Sequence, residues 1–198
     1  MPRRSQEERR STTRAALLAA GRELFATRGF ADVPAEQIVR TAGVTRGAMY
    51  HHFDDKTELF AAVFEQLEAE ITADLAASLT DVPADELVPT AVSAFLDICA
   101  RPDVLRIALT DAPATLGWQR WREVEQRHGL GLVNELLSQR AEATGADVPP
   151  LLGQVVLGAV IEAALLIAHA DDPVAARREA EASLGALLAG LGGEGGAP

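Results

Sequence analysis

The chain has 198 residues, of which 48% are hydrophobic and 24% are charged, and this balance excludes a disordered protein. Ala and Leu are abundant and no long segment alternates apolar and polar residues, so we predict an all-helical fold. The net charge of −11 by itself argues against a nucleic-acid partner.

The charge is unevenly distributed along the chain. Residues 1–53 contain nine Arg and five acidic residues, a local charge of +4, whereas residues 54–198 carry −15. A basic amino-terminal segment on an acidic body is typical of a small DNA-binding module attached to a body that does not bind DNA.

Cysteine usage and hydropathy bear on the cellular compartment. Cys99 is the single cysteine and no secretory signal opens the chain, so we expect a cytoplasmic protein with Cys99 as a buried small hydrophobe. Residues 151–170 form a strongly apolar segment, but Gln154, Glu162 and His169 within it would be costly in a bilayer. We therefore expect this segment to be buried within protein, with no membrane association.

The first elements are predicted from apolar spacing and helix punctuation. Residues 1–10 are polar and are expected to form a flexible arm, and a helix is expected from about Ser11 to Arg28, ended by Gly29. A short helix follows over residues 34–42, with Pro34 in its first turn and Asp32 near enough to cap it. The first helix carries an apolar stripe formed by Leu17, Leu18, Gly21, Leu24 and Phe25.

Gly43 separates that short helix from another, which is expected to run from Arg46 to about His52 with Thr45 as its cap. Asp54 or Asp55 then caps a long helix that begins near Lys56. Its buried stripe holds Leu59, Phe60, Val63, Phe64, Leu67 and Ile71. Prolines divide the remainder into helices near 84–100, 103–112, 115–143, 151–170 and 174–191, before a Gly-rich tail (192–198) predicted to be disordered.

The two short helices joined by Ala42-Gly43-Val44 have the dimensions of a helix-turn-helix (about residues 34–53), whose second helix enters the major groove of DNA. That helix carries a hydroxyl for phosphate, a guanidinium for a guanine edge or phosphate, and rings that stack and hydrogen-bond. The candidate DNA-binding residues are Thr45, Arg46, Gly47, Tyr50, His51, His52 and Lys56. Ala48, Met49 and Phe53 are expected to face inward.

Metal binding is the less favoured interpretation of the adjacent pair His51 and His52. Neighbouring residues on a helix point apart, and no third ligand lies nearby in the sequence. We expect no metal and no cofactor.

The segment from Ala42 to Lys56 reads AGVTRGAMYHHFDDK. Together with Gly29-Phe30, Ile38 and the preceding LLAAGRELF segment, it resembles the TetR-type one-component regulators over about residues 12–65. The resemblance implies a helix-turn-helix domain (11–56), a larger effector-binding and dimerisation domain (57–191), about nine helices, and a DNA-facing role for the candidates named above. Family members often have Thr or Ser and then a basic residue where this chain has Pro34-Ala35-Glu36, so Arg3 and Arg4 of the arm are candidates to supply phosphate contacts instead.

The carboxy-terminal body offers two further predictions. Both tryptophans lie on one helix face with Val124 and His128, which fits either core packing or an apolar ligand pocket. The candidate effector-pocket residues are Phe95, Asp111, Trp118, Trp121, His128 and Glu162. The last two helices mix large and small apolar residues and are predicted to form a homodimer interface.

We therefore expect a sequence-specific transcriptional regulator that binds a pseudo-palindromic operator in double-stranded DNA as a homodimer. The expected mechanism is repression, with release by an unidentified small-molecule effector. Activation, a helical enzyme and a binding module whose helix-turn-helix no longer binds DNA are the alternatives. A helical enzyme is less favoured than a binding module because the sequence shows no nucleophile motif, metal-ligand spacing or Gly-rich phosphate loop.

Overall fold

A computed structural model describes residues 6–83, 86–145 and 148–190. All regular structure in these ranges is helical, which confirms the predicted fold class. The helices are α1 (Gln6–Arg28), α2 (Ala35–Thr41), α3 (Arg46–His52), α4 (Lys56–Ser78), α5 (Leu87–Cys99), a π-helix (Val104–Asp111), α6 (Ala112–Thr144), α7 (Leu152–Ala168) and α8 (Pro173–Gly190).

Most helix ends fall within three residues of their predicted positions, but α1 begins earlier. It starts at Gln6, not at Ser11, so residues 6–10 of the predicted arm are helical. Glu7 and Glu8 in the first turn favour this extension because carboxylates stabilise the positive end of a helix. Arg3, Arg4 and the predicted tail (192–198) lie outside the described residues.

The predicted helix near 103–112 is a π-helix that continues directly into α6. Pro113 has no N–H to donate to the Leu109 carbonyl, and the Ala112 N–H bonds to the Ile107 carbonyl five residues earlier. The Thr110 hydroxyl likewise donates to Leu105 O over 2.8 Å. A second irregularity follows at Gly117, whose φ of 77° interrupts α6 with a kink.

Contacts divide the chain into two compact units. The amino-terminal unit comprises residues 1–67 and 102–121, and the body unit comprises residues 68–101 and 122–198. This division differs from the boundary predicted near residue 56, since α4 contributes to both units and the segment 102–121 joins the first.

The core of the amino-terminal unit is built around three phenylalanine rings. The Phe25 and Phe60 centroids are 5.1 Å apart, and Phe30 lies 5.9 and 5.0 Å from them. Edge-to-face arrangements of this kind add to the free energy gained from burial. The stripes predicted for α1 and α4 are buried, which confirms them.

The helix caps were predicted with mixed success. Thr45 Oγ1 accepts the Ala48 N–H over 3.2 Å, and Asp55 Oδ1 accepts the Glu58 N–H over 2.8 Å, so both predicted caps are confirmed. The cap assigned to Asp32 is wrong. Pro34 occupies the capping position of α2 and makes no side-chain hydrogen bond.

Polar contacts attach the segment 102–121 to the rest of the amino-terminal unit. Asp103 accepts from Arg22 of α1 over 2.7 Å, and Asp111 Oδ2 accepts the Phe30 N–H over 2.7 Å. Arg120 donates two hydrogen bonds, of 2.6 and 2.8 Å, to the carboxylate of Glu58. Between these contacts the π-helix packs against α1 and buries Val104 and Ile107.

In the body unit, α5, α7 and α8 contact one another. Arg177 of α8 links two of these helices by donating to Asp97 Oδ1 over 2.6 Å and to Ser93 over 3.1 Å. Cys99 is buried as predicted, and burial, followed by the charge of Glu68, raises the pKa of its thiol. Among the described helices, none combines the length and apolar character that a membrane crossing requires.

Candidate nucleic-acid interface

The turn between α2 and α3 fixes the orientation of α3. The Ala42 N–H bonds to Ile38 O over 2.8 Å and the Val44 N–H bonds to Val39 O over 3.0 Å. Gly43 has a φ of +66°, a conformation that side-chain-bearing residues rarely adopt. The sequence AGV therefore forms a tight connection between two short helices.

The inner face of α3 is anchored in the core. Met49 has no exposed surface and Phe53, which follows the helix, is 6% exposed, as their predicted inward positions require. Opposite this face, the side chains of Thr45, Arg46, Tyr50 and His51 are exposed, together with Gly47, while His52 is half-buried. The structure therefore brings six of the seven DNA-binding candidates together on or beside the exposed surface of α3.

Arg46 is held by two neighbours on this surface. Its Nη1 lies 2.8 Å from Glu36 Oε1 of α2, and its guanidinium carbon lies 5.5 Å from the centre of the Tyr50 ring. Hydrogen bonding to the Tyr50 hydroxyl, followed by the charges of Tyr50 and Glu36, raises the pKa of Arg46. The sequence indicated that Glu36 is a poor group for binding phosphate, but the pairing of Glu36 with Arg46 was not predicted.

Basic residues of α1 approach the end of α3. Burial lowers the pKa of His52, and the charges of His51, Arg10 and Arg14 lower it further. The Arg14 guanidinium also lies 5.4 Å from the centre of the Phe53 ring. The sequence analysis missed Arg10 and Arg14, although their spacing of four residues on a helix was a sign that they share one face.

Lys56 is directed toward its own protein. Its Nζ donates to Phe30 O over 2.9 Å and to Val33 O over 3.0 Å, and it lies 4.0 Å from the centre of the Phe30 ring. Desolvation by burial lowers its pKa. Lys56 therefore secures the connection between α1 and α2, a role that the sequence did not reveal, while its predicted contact with DNA stays a prediction.

The six effector-pocket candidates are distributed between the two units. Asp111 belongs to the amino-terminal unit, where it accepts the Phe30 N–H. Trp118 and Trp121 belong to the same unit with their rings 5.2 Å apart, although Trp118 is 68% exposed and Trp121 only 6%. In the body unit, Phe95 and His128 are half-buried and Glu162 is exposed. A single pocket containing all six stays a prediction.

Two carboxyl groups of the body unit, the buried Glu125 and the half-buried Glu68, were not predicted. Desolvation raises the pKa of Glu68 to about 8, and the charge of Glu125 adds to this shift. Desolvation also raises the pKa of Glu125 to about 7, although the hydrogen bond from Arg122 opposes that shift. The sequence signal for Glu68 was its place inside the apolar stripe of α4, beside Leu67.

The body unit also contains a groove of about 440 Å³ between α5 and α8. Its walls are mainly apolar, with one hydroxyl and one carboxylate among them. The groove is lined by Val88, Pro89, Val92, Ser93, Glu181, Gly185 and Leu188. None of the six residues predicted to bind an effector lines this groove.

Comparison with known proteins places both parts of the chain in one family. Residues 17–63 match the model of bacterial regulatory proteins of the tetR family, and residues 86–191 match a tetracyclin repressor-like carboxy-terminal domain. The helix-turn-helix regulator CymR of Pseudomonas putida is 38% identical over 87 residues, which are 43% of each chain. The TetC protein of transposon Tn10 from Escherichia coli is 25% identical over 134 residues, 68% of each chain.

Solved structures extend this similarity along nearly the whole chain. A TetR-family transcriptional regulator from Pectobacterium atrosepticum is 35% identical with a TM-score of 0.80, and the alignment covers 95% of this chain and 97% of that one. A TetR-family regulator from Streptomyces coelicolor, 24% identical with a TM-score of 0.70 over 92% and 97% of the chains, shares the fold. The chain therefore belongs to the TetR family of bacterial regulatory proteins and is a DNA-binding transcriptional regulator.

Proposed function

We propose that the protein binds a pseudo-palindromic operator as a homodimer, with α3 of each protomer in the major groove. One observation carries this proposal: the fully buried Met49 fixes the inner face of α3, so that Arg46, Gly47 and Tyr50 are presented to solvent together. An arginine in this position suits the O6 and N7 atoms of guanine. The exposed backbone at Gly47 permits close approach of the duplex.

Binding to selected DNA tests this proposal. An operator is first selected from a random duplex library with the purified protein, and affinity is then measured by fluorescence anisotropy across a salt series. We expect Arg46→Ala and Tyr50→Ala each to weaken operator binding by about 5- to 150-fold, the range for one good base contact, without changing helicity. Unchanged affinity in both variants would contradict the assignment of α3. Failure of the wild type to bind any duplex would instead favour a binding module that no longer uses DNA.

We propose that the homodimer forms through the outer faces of α7 and α8. The structure separates the apolar residues of these helices into two sets. Residues such as Val156, Val160 and Leu184 are buried within the body unit. Large apolar side chains that stay exposed mark surfaces that associate. They are Leu151, Val155, Leu166, Val174 and Leu187.

Charge substitution on this face tests the interface. The double variant Val155→Asp/Leu166→Asp places two carboxylates where two copies of α7 would pack. We expect it to elute as a monomer with unchanged helicity in size-exclusion chromatography with light scattering. It should also lose operator affinity, because a dimer places two recognition helices on successive half-sites. A variant that stays dimeric would show that the interface lies elsewhere.

We further propose that this protein is a repressor whose operator affinity is lowered by a small molecule bound in its body. Effector release is typical of the family, and Phe95 and His128 are half-buried candidates within the body unit. A ligand that prefers the folded state raises the melting temperature, so a thermal-shift screen identifies candidates. We expect hits to weaken operator binding, and the operator to weaken their binding by the same factor. Stabilising hits that leave operator affinity unchanged would contradict this coupling. A reporter gene placed behind the operator distinguishes repression from activation.

A further inference from the structure

One ion pair crosses the exposed side of the helix-turn-helix. Glu36 Oε1 lies 2.8 Å from Arg46 Nη1, and the two side chains are 60% and 63% exposed. The pair joins α2 to α3. Each helix is also anchored in the core by a fully buried residue, which is Ile38 in α2 and Met49 in α3. The fold therefore positions this carboxylate beside the guanidinium that is best placed to contact DNA.

The stability of the fold does not account for this arrangement. Exposed ion pairs contribute little to folding because water and salt screen both charges and two long side chains lose freedom. A carboxylate at a DNA-facing surface also repels the phosphates, so it reduces the affinity that the basic amino-terminal segment provides. Neither fold stability nor overall affinity for DNA therefore explains why Glu36 lies beside Arg46.

The position of Glu36 is explained by the difference between the two DNA groups that an arginine binds, the guanine edge and the phosphate. A guanidinium has five N–H donors in a planar fork, so Arg46 retains donors for DNA while Nη1 is paired with Glu36. The guanine edge offers two neutral acceptors, whereas a phosphate is an anion. A carboxylate beside the guanidinium therefore penalises a phosphate partner far more than a guanine partner. The Tyr50 ring under the same guanidinium further limits its orientations.

We propose that Glu36 is a specificity-determining residue, which lowers the affinity of Arg46 for phosphates and thereby reserves it for a base edge. This rests on the proposed function, since only a helix in the major groove gives Arg46 a base to contact. Glu36 acts through Arg46 and needs no DNA contact of its own. It weakens binding to non-cognate DNA, where Arg46 meets only phosphates, more than binding to the operator.

A double-mutant cycle tests the proposal with wild type, Glu36→Gln, Arg46→Ala and the double variant. The probes are the operator duplex selected by the wild type and a shuffled duplex of the same composition, each titrated by anisotropy across a salt series. We expect Glu36→Gln to bind the shuffled duplex about 3- to 10-fold more tightly at low salt, with a salt slope steeper by about one. Because operator affinity rises less, the ratio of operator to shuffled affinity should fall by a factor of at most about 3 to 10. In the Arg46→Ala background the same substitution should change this ratio by less than about twofold.

Glu23→Gln is the matched control, because Glu23 is exposed on α1, outside the α2–α3 motif, and its substitution removes the same charge. We expect it to raise both affinities equally and to leave their ratio unchanged. The proposal is overturned if Glu36→Gln leaves the ratio unchanged, or if it changes the ratio equally with and without Arg46. A wild type that selects no sequence overturns the proposed function itself, and this result is seen before any variant is compared.

Discussion

At the scale of single residues, the exposed surface of α3 carries groups whose roles in folding and in binding are separable. Thr45 combines a role in folding, as the cap of α3, with a proposed role in binding, because its O–H stays able to donate to a phosphate. Folding does not require glycine at position 47. A Cβ built there would meet no atom within 4 Å, and the backbone has a conformation that other residues adopt. A glycine in the first turn of α3 that the fold does not require is explained by a partner outside the protein that approaches the backbone there.

Substitution of Gly47 by Ala tests that interpretation. We expect Gly47→Ala to raise the free energy of unfolding by about 0.5–1 kcal/mol, since alanine loses less entropy in a helix. We expect operator affinity to fall about tenfold, or about 1.4 kcal/mol, because the added methyl group separates α3 from the duplex. Chemical denaturation and anisotropy measure the two quantities.

Gly131→Ala in α6 is the control, since a Cβ there also meets no atom within 4 Å. It should give a similar gain in stability with no loss of DNA binding. If Gly47→Ala bound the operator as tightly as the wild type, close approach at this position would be excluded.

At the scale of elements, the connection between α1 and α2 depends on contacts from distant parts of the sequence. Its Phe30 N–H is accepted by Asp111, and its Phe30 and Val33 carbonyls accept from Lys56 of α4. The position of α2, and with it that of the helix-turn-helix, is therefore fixed from outside the motif.

Removal of the Lys56 ammonium tests this dependence. We expect Lys56→Met to lower the free energy of unfolding by roughly 2–3 kcal/mol, because two partly buried carbonyls lose a charged donor while the apolar stem is kept. The free energy is measured by urea denaturation followed by circular dichroism. A loss below about 0.5 kcal/mol would show that water replaces the ammonium at no cost.

The pair formed by Glu58 and Arg120 attaches the start of α6 to α4. The hydrogen bond from Arg120 lowers the pKa of Glu58, so the pair stabilises the fold above the unfolded pKa of about 4.5 and loses this contribution as pH falls further. Each side chain is about 40% exposed, with 41% for Arg120 and 42% for Glu58, so solvent screening keeps the contribution small.

A double-mutant cycle with Glu58→Gln and Arg120→Met measures that contribution. We expect a coupling free energy of about 0.5–1 kcal/mol at pH 7, from two well-aligned hydrogen bonds. The coupling should be smaller at pH 3 than at pH 7, because protonation of the carboxyl group removes its charge. A coupling that is equal at both pH values would exclude the charged pair as its source.

At the scale of the whole molecule, buried acids give the stability a characteristic pH dependence. Because desolvation raises the pKa of Glu68 to about 8 and that of Glu125 to about 7, the folded state holds protons that the unfolded state releases above about pH 4.5. The contribution of these two groups to stability is therefore fully present below about pH 4.5 and is lost as pH rises toward 8.

Glu68→Gln replaces the titrating group with a neutral one of the same shape. We expect an apparent melting temperature at pH 8 several degrees above that of the wild type, at about 2–4 °C for each kcal/mol in a chain of this size. At pH 5 the two proteins should melt together. Glu162→Gln, which removes an exposed acid from α7, should leave the pH profile unchanged. A wild type whose melting temperature is the same at pH 5 and pH 8 would contradict the buried-acid interpretation.

The sequence predicted what depends on neighbouring residues. Prolines and glycines located the helix ends, and Thr45 was recognised as a cap, with Asp55 as one of two candidates for the next cap. The spacing of Leu17 and Phe60 placed them correctly in the core. Each of these properties is decided within one or two helical turns, and the Arg46-Gly47-Tyr50 surface was found in the same way.

What the sequence did not reveal depends on contacts between distant residues. Arg22 and Asp103 are 81 positions apart, and neither residue carries a signal that identifies the other. The inward direction of Lys56 and the pairing of Glu36 with Arg46 likewise follow from how helices pack against one another. The same limit applies to Glu68, whose raised pKa depends partly on the charge of Glu125, 57 positions away in the sequence.

The attachment of residues 102–121 to the amino-terminal unit has a consequence for protein engineering. A chimeric regulator made by joining residues 1–67 to another protein's effector domain would keep the whole recognition motif and lose Asp103, Asp111 and Arg120. It would also expose the surface of α1 that the π-helix covers through Val104 and Ile107. A functional exchange of sensors therefore needs three junctions, after residues 67, 101 and 121, so that residues 102–121 stay with the DNA-binding part.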